Sequence, residues 1–245
     1  IILRNSGSGD ITLDPNTSEL IDGLASFIMY TGEARLIQCD GTTFTSVVLS
    51  PFRRTFTTSG SFVKPPGYTV FGGLLWGGGA GGACGFTAGG GGGGACIPFS
   101  LDASKFGATE TVTIAAGGAA QTVATNTQNS GGTSSIGTIP FLYSYGGGAG
   151  GTYYLGSAGG GISSAGASTQ GGSPLGGSAN VGSNFGGGGG GNGAKGGNSV
   201  YGGGGGGMAG STLAGAGGTA THGGAGGAGG AGGTNGSAGI APAGG

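Results

Sequence analysis

The chain has 245 residues, of which 73 are Gly and 8 are Pro, while Asp, Glu, Lys and Arg together make up 6%. Ile, Leu, Val and Phe account for 44 residues, or 18%, below the roughly 20% at which an ordinary apolar core becomes hard to build, so the composition excludes a conventional enzyme domain. A formal net charge of −1 argues equally against disorder driven by charge repulsion.

The averages hide two materials joined near Phe71: residues 1–71 contain 7 Gly and residues 72–245 contain 66. After Glu110 the only charged side chain is Lys195. No Lys/Arg cluster is therefore present to meet nucleic-acid phosphates or an anionic membrane surface, and a nucleic-acid partner is set aside. There is no run of 18 apolar residues, so no membrane insertion is expected, and Ile1–Ser6 lacks the pattern of a signal peptide. Without an initiator Met, the chain reads as the end of a longer polypeptide. Cys39, Cys84, Cys96 and the lone His222 lack the spacing of a zinc site, so no metal or cofactor is expected. Cys84 and Cys96 could pair across Gly89–Gly94; isolated small buried thiols are the preferred reading.

The opening segment reads as β-structure. Ile11-Thr12-Leu13 alternates and Asp14-Pro15-Asn16 breaks it; Phe27–Tyr30 and Ala34–Cys39 are short β-prone runs separated by Thr31-Gly32-Glu33. Asp40-Gly41 is the best turn signal in the chain. A type I′ turn there, with φ > 0 at both central residues, would pair Arg35–Cys39 antiparallel with Thr42–Leu49. A unit of about 50 residues buries little surface alone and calls for partners or neighbouring modules. The stretch Ile11–Asn16, Glu19–Gly23 and Asp40–Thr42 resembles small β-modules that recur in bacteriophage tail-fibre proteins, which implies an attachment or trimerisation module over 1–54.

The next segment runs Phe56 to Val70 and then Leu74-Leu75-Trp76 directly into Gly77–Gly82; Val112–Ala116 empties into Gly117-Gly118 in the same way, followed by Gly131–Gly137. This ordering is similar to the glycine-rich domain of phage tail fibres and tail-fibre adhesins. The resemblance covers 55–245 and implies a receptor-binding domain, with a strand-containing part over 55–140 and a glycine bundle with loops over 141–245. The chain departs from long-tailed adhesins in carrying its own β-module upstream.

The glycine runs also have a physics of their own. Gly77–Gly82, Gly89–Gly94, Gly146–Gly151, Gly186–Gly191, Gly202–Gly207 and Gly223–Gly233 are too poor in side chains for helix or strand, and Gly loses more backbone freedom on ordering than any other residue. The stretch 223–234 has a strict period of three. Polyproline-II geometry has three residues per turn and no internal hydrogen bonds, so its amides face neighbouring strands. Collagen would need abundant Pro, and only Pro242 lies in the last 70 residues. The expected fold is mainly β with no substantial helix: a small N-terminal β-module, then short strands leading into a polyglycine-II helix bundle, in a homotrimeric fibre.

Between the runs lie aromatic and amide residues: Tyr143, Tyr145, Tyr153, Tyr154, Asn184, Phe185, Asn198 and Tyr201. Tyr and Asn give rigid amphipathic area and adaptable hydrogen bonds at low entropic cost, so these eight are the receptor-contact candidates. The competing reading is that the aromatics plug the ends of the bundle. Catalysis is not expected: Asp102 and Glu110 are the only carboxylates after residue 40, without nucleophile or paired-carboxylate spacing. His222 reads as solvent-exposed filler without a partner, and the many matches to GxGxxG mean nothing without a following helix.

The resemblance thus implies a distal tail-fibre receptor-binding protein of the virion. Its partners would be a bacterial surface receptor (lipopolysaccharide, an outer-membrane protein or a pilus), other tail-fibre or baseplate proteins, and two further copies of itself. A purely structural stalk or cell-surface protein is the main alternative, and an ice-binding face a lesser one.

Overall fold

The computed structural model describes every residue except 17, 85–87, 120, 123–128, 138–141, 150–155, 162, 168–170, 173–181, 185–186, 188–193, 208–213, 231–235 and 240–245. Among the described residues the protein is mainly β. The one described helix is a 3-10 turn, Ala103–Lys105, capped by the Asp102 carboxylate, which accepts from the Ser104 N–H at 2.7 Å. No described helix is long and apolar enough to cross a membrane. The chain forms two compact units, Ile1–Gly72 with Ser100–Thr111, and Gly73–Phe99 with Val112–Gly245. The first takes in residues 55–72 and 100–111 as well as 1–54.

The first unit is built from alternating apolar runs. Strands β1 (Ile2–Arg4), β4 (Ala34–Cys39) and β5 (Phe44–Ser50) form an antiparallel sheet in the order β1-β4-β5, and β2 (Ile11–Leu13) pairs with β3 (Phe27–Met29). Ile21, Phe27 and Ile37 are buried together, with Leu3, Leu13 and Phe44 packed against them. The expected β4–β5 hairpin is present, with Cys39 opposite Phe44.

Its turn is not the expected type I′. Of Asp40 and Gly41 only Gly41 takes a positive φ, 103°. The Asp40 carboxylate instead accepts the N–H groups of Thr42 and Thr43 at 2.9 and 2.8 Å and both their hydroxyls. An Asp side chain that satisfies loop amides itself competes with the tight turn. The Thr43 N–H, then that of Thr42, hold this carboxyl well below the usual carboxylate range. The paired positive φ values of an Asp-Gly turn occur instead at Asp22 and Gly23, 52° and 78°, where Ile21 and Leu24 exchange N–H···O bonds of 3.0 and 2.9 Å.

A buried ion pair ties the hairpin to the rest of the unit. Glu33 and Arg35 are both fully buried. Arg35 Nη2 and Nε lie 2.6 and 2.7 Å from Glu33 Oε1. Glu33 Oε2 accepts the Tyr30 N–H at 3.0 Å, and Arg35 donates to Ser46 Oγ and the Pro66 carbonyl, each at 2.7 Å. The guanidinium sits over the Phe27 ring at 4.8 Å. Beside it Tyr30, Phe52, Phe62, Tyr68, Phe71 and Phe106 form a continuous aromatic cluster, with centroids 4.7–6.4 Å apart. The edge-on pairs, Phe52–Tyr68, Phe62–Phe71, Phe62–Phe106 and Phe71–Phe106, have the geometry that the ring quadrupole favours. Among the described residues the buried Tyr68 hydroxyl has no hydrogen-bond partner; burial first, and the Glu33 charge second, push its pKa up to about 12.

Strands β6 (Gly60–Val63), β7 (Val70–Trp76), β8 (Cys96–Asp102) and β9 (Thr109–Thr113) follow. The chain passes between the units within β7, β8 and β9. In the second unit Val112 and Thr113 pair with Ile136 and Ser135 of β10 (Ser134–Ile136), which pairs in turn with β11 (Tyr143–Ser144).

The glycine runs are joined by backbone hydrogen bonds with a period of three. Around residues 89–96, the N–H groups of Gly90, Gly93 and Cys96 donate to Gly207, Gly204 and Tyr201 at 2.8, 2.9 and 2.7 Å. Those of Gly92 and Ala95 donate to Gly148 and Tyr145, and that of Gly91 to Ser237, all at 3.0 Å. The same run accepts from Gly77, Ala80 and Ala83, from Ser157 and Gly160, and from Gly224 and Gly227, and Ala88 just before it accepts from Gly230. Residues three apart thus face the same neighbour, and one run is surrounded by six segments, some parallel to it and some antiparallel.

Side chains are excluded by this closeness. A Cβ added at Gly90, Gly91, Gly92, Gly93 or Gly94 would come within 3.0 Å of the backbone of Gly227, Ala80, Ala158, Gly224 or Gly77 respectively. Where Cβ atoms do occur they find room: Ala80, Ala83, Ala95 and Ala158 are buried, and Ala225 and Ala228, the third residues of the Gly-Gly-Ala repeat, are half-buried. The three cysteines are free, with Cys39 exposed, Cys84 half-buried and Cys96 buried.

Three outcomes follow from this packing. Glu33→Ala leaves the Arg35 charge buried without its partner and lowers stability by about 3–5 kcal/mol in denaturant unfolding. Gly93→Val drives its side chain into the backbone of Gly224 and Ala225 and costs about 3 kcal/mol or more, whereas Ala225→Val at the half-buried position costs far less, as read from melting temperatures. For Tyr68 the folded pKa lies above the ordinary value of 10.0, so its contribution is complete below pH 10 and is lost as pH rises through about 12. Denaturant midpoints at pH 9 and 11 should differ, and Tyr68→Phe should shrink the difference.

Candidate functional site

In the second unit the segments bearing Tyr145 and Tyr201 meet the chain where the run 89–95 passes into β8. Ser144 Oγ donates to the Ala95 carbonyl at 2.8 Å. The Ala95 N–H reaches the Tyr145 carbonyl and the Cys96 N–H the Tyr201 carbonyl, so the segments bearing Tyr145 and Tyr201 flank two consecutive residues. Tyr143 is 37% exposed and Tyr145 half-buried.

Around Tyr201 three short segments run side by side. The Tyr201 and Gly202 N–H groups donate to the Asn184 carbonyl at 2.9 and 3.3 Å, and the Ser183 N–H donates to the Asn198 carbonyl at 2.9 Å. Ser199 forms parallel bridges to Ser183 on one side and Ala220 on the other. The Ser199 N–H donates to Thr219, and the Thr221 and His222 N–H groups donate back to Ser199 and Val200, at 2.8, 3.1 and 2.8 Å. The Asn198 side chain fixes the third segment by accepting the Thr219 N–H on Oδ1 at 3.0 Å.

This frame places two rings that the sequence does not connect. His222 stacks on Tyr201 with centroids 5.1 Å apart and planes 13° from parallel. Trp76 donates its indole N–H to the His222 carbonyl at 3.0 Å. His222 is exposed, as expected, but it is not without a partner. The correction comes from the pairing of 199–201 with 219–222, which no local pattern announces. Among the eight candidates, Asn184, Asn198 and Tyr201 are brought together, with Tyr143 and Tyr145 on segments joined to the same stretch. Tyr153, Tyr154 and Phe185 lie outside the described residues. Trp76 and His222 are the additions; a tryptophan placed just before a glycine run was the one signal that could have pointed here.

The chemistry available is recognition by rings, amides and hydroxyls. The Cys96 thiol is buried, which pushes its pKa up to about 11 and keeps it protonated at neutral pH. In the first unit a separate cleft of about 340 Å³ is lined by Ser8, Asp10, Tyr30, Thr31, Arg53 and Arg54 among others. Arg54 is already committed there: it pairs with Asp10 and lies over the rings of Tyr30 and Phe56 at 4.6 and 5.0 Å. No protein-family model, curated protein or solved structure matches this chain.

Proposed function

We propose that the protein is a distal receptor-binding protein of a bacteriophage tail fibre, attaching the virion to a bacterial surface receptor through loops carried on a polyglycine-II scaffold. The observation that carries this reading is the period-three pattern of backbone hydrogen bonds around residues 89–96. Three residues per turn with amides facing outward is the geometry of polyproline-II-type strands, and Gly137 is the only described glycine of this unit with a positive φ, in keeping with the negative φ of that helix. A scaffold joined by backbone alone lets the connecting segments vary without repacking a side-chain core, which suits a surface that must follow a changing host.

The segments between the runs differ in length and composition, whereas a stalk that only bears load would repeat evenly. The first unit, with its apolar core and nearly all of the charge, is the part suited to joining other fibre or baseplate proteins. Three copies in a fibre and a location at the distal end of the virion complete the proposal, and no catalytic step belongs to it. Binding of the purified protein to intact candidate host bacteria tests it. The wild type is expected to bind saturably to a host strain. A variant with Tyr143, Tyr145, Tyr153 and Tyr154 all changed to Ala is expected to bind at least tenfold more weakly with an unchanged melt. A wild type that binds no candidate host would instead favour the structural stalk.

A further inference from the structure

We propose that Trp76, Tyr201 and His222, with the side-chain amides of Asn184 and Asn198, bind an uncharged saccharide; this rests on the receptor-binding reading and names the ligand class of one of its sites. The stacked pair Tyr201–His222 is solvent-facing: Tyr201 is 37% exposed and His222 is exposed. Rings of this size are normally consumed by packing, particularly in a unit with so few of them. Here two are placed parallel at the surface, and the half-buried Trp76 holds the backbone of the second through its indole N–H.

The outer face of such a ring stack matches the C–H face of a pyranose, which is apolar, while the hydroxyls around its rim need donors and acceptors beside the rings. Asn184 and Asn198 supply them, since both are exposed. Asn198 accepts the Thr219 N–H on its Oδ1, and its side-chain N–H groups make no hydrogen bond among the described residues, which suits them to a sugar hydroxyl.

Charge decides the class of sugar. Among the residues of the second unit the only formally charged side chain is Lys195, and there is no carboxylate. A uronic acid, sialic acid or phosphorylated sugar would lose hydration at the rings with no cation of the cluster to replace it. A neutral hexose or N-acetylhexosamine carries no such cost. The site is also preorganised: the bonds Cys96 to Tyr201, Tyr201 to Asn184 and His222 to Val200 run between backbone groups, with the Trp76 indole N–H and the Asn198 Oδ1 as side-chain supports. Substituting Tyr201 or His222 therefore leaves these bonds in place.

The chain contains a single Trp, and it sits at this cluster, so its fluorescence reports binding directly. Full-length protein would be titrated with mannopentaose, chitotetraose and galactotetraose, and in parallel with sialyllactose and oligogalacturonate. The expected result is a saturable change with at least one neutral oligosaccharide and none with the anionic ones. Tyr201→Ala and His222→Ala should weaken that binding at least tenfold with an unchanged melting temperature, and Tyr201→Phe should keep it. Should Tyr201→Ala melt early, His222→Ala and Asn184→Ala decide the question, since both side chains are exposed. Preference for the anionic sugars, or full binding by the ring variants, overturns the saccharide site. A wild type that binds bacteria but answers to none of the neutral sugars also overturns it and leaves the receptor reading standing. A wild type that binds neutral sugars but no bacteria supports the site and removes the receptor reading instead.

Discussion

The second unit depends on one constraint: its backbone amides must be satisfied by neighbouring runs that approach without side chains between them. A buried N–H or C=O left unpaired costs as much as a lost hydrogen bond, so a bundle with almost no apolar side chains is held by completing its amide pairing. Gly90 to Gly94 meet three neighbours in rotation, and at each of them a Cβ would enter another run's backbone. The high glycine content is the condition for this contact. It also carries the cost of ordering the most flexible residue in the chain, which is offset only when several neighbours are in place together.

The first unit is held by different forces. Ile21, Phe27 and Ile37 supply a small apolar core, and a second cluster of six aromatic rings extends from Tyr30 to Phe106. The Glu33–Arg35 pair is fully buried, and its remaining donors and acceptors are used by Tyr30, Ser46 and Pro66. A buried pair is compatible with a stable fold when its hydrogen-bonding capacity is filled in this way. Charge, aromatic mass and side-chain packing are thus concentrated in one unit, and amide pairing in the other.

This division bears on recognition. In the glycine-rich unit a side chain contributes little to holding the frame, so the rings and amides that remain are available for contact. Tyr201 shows the separation of roles within one residue: its N–H and C=O serve Asn184 and Cys96, while its ring stacks outward on His222. The Asn198 side chain does the reverse on one side, its Oδ1 fixing Thr219, so the edge of the cluster is partly structural.

Much of the first unit was legible in the chain. The runs at Ile11–Leu13, Phe27–Met29 and Ala34–Cys39 are strands, the hairpin across residues 40–43 forms, and the change of material near Phe71 falls beside the end of the first unit's long segment at Gly72. These follow from local alternation, β-propensity and composition, which act over a few residues. The choice of turn at Asp40-Gly41 against Asp22-Gly23 did not follow, because it depends on which amides each Asp side chain captures. Neither did the partners of the glycine runs, nor the meeting of Trp76 with His222 across 146 residues. Runs of nearly identical residues carry no side-chain code for register or neighbour. Sequence alone therefore determined that close backbone contact is possible and where side chains interrupt it, while only the tertiary structure decided which amide meets which, and so which rings share a surface.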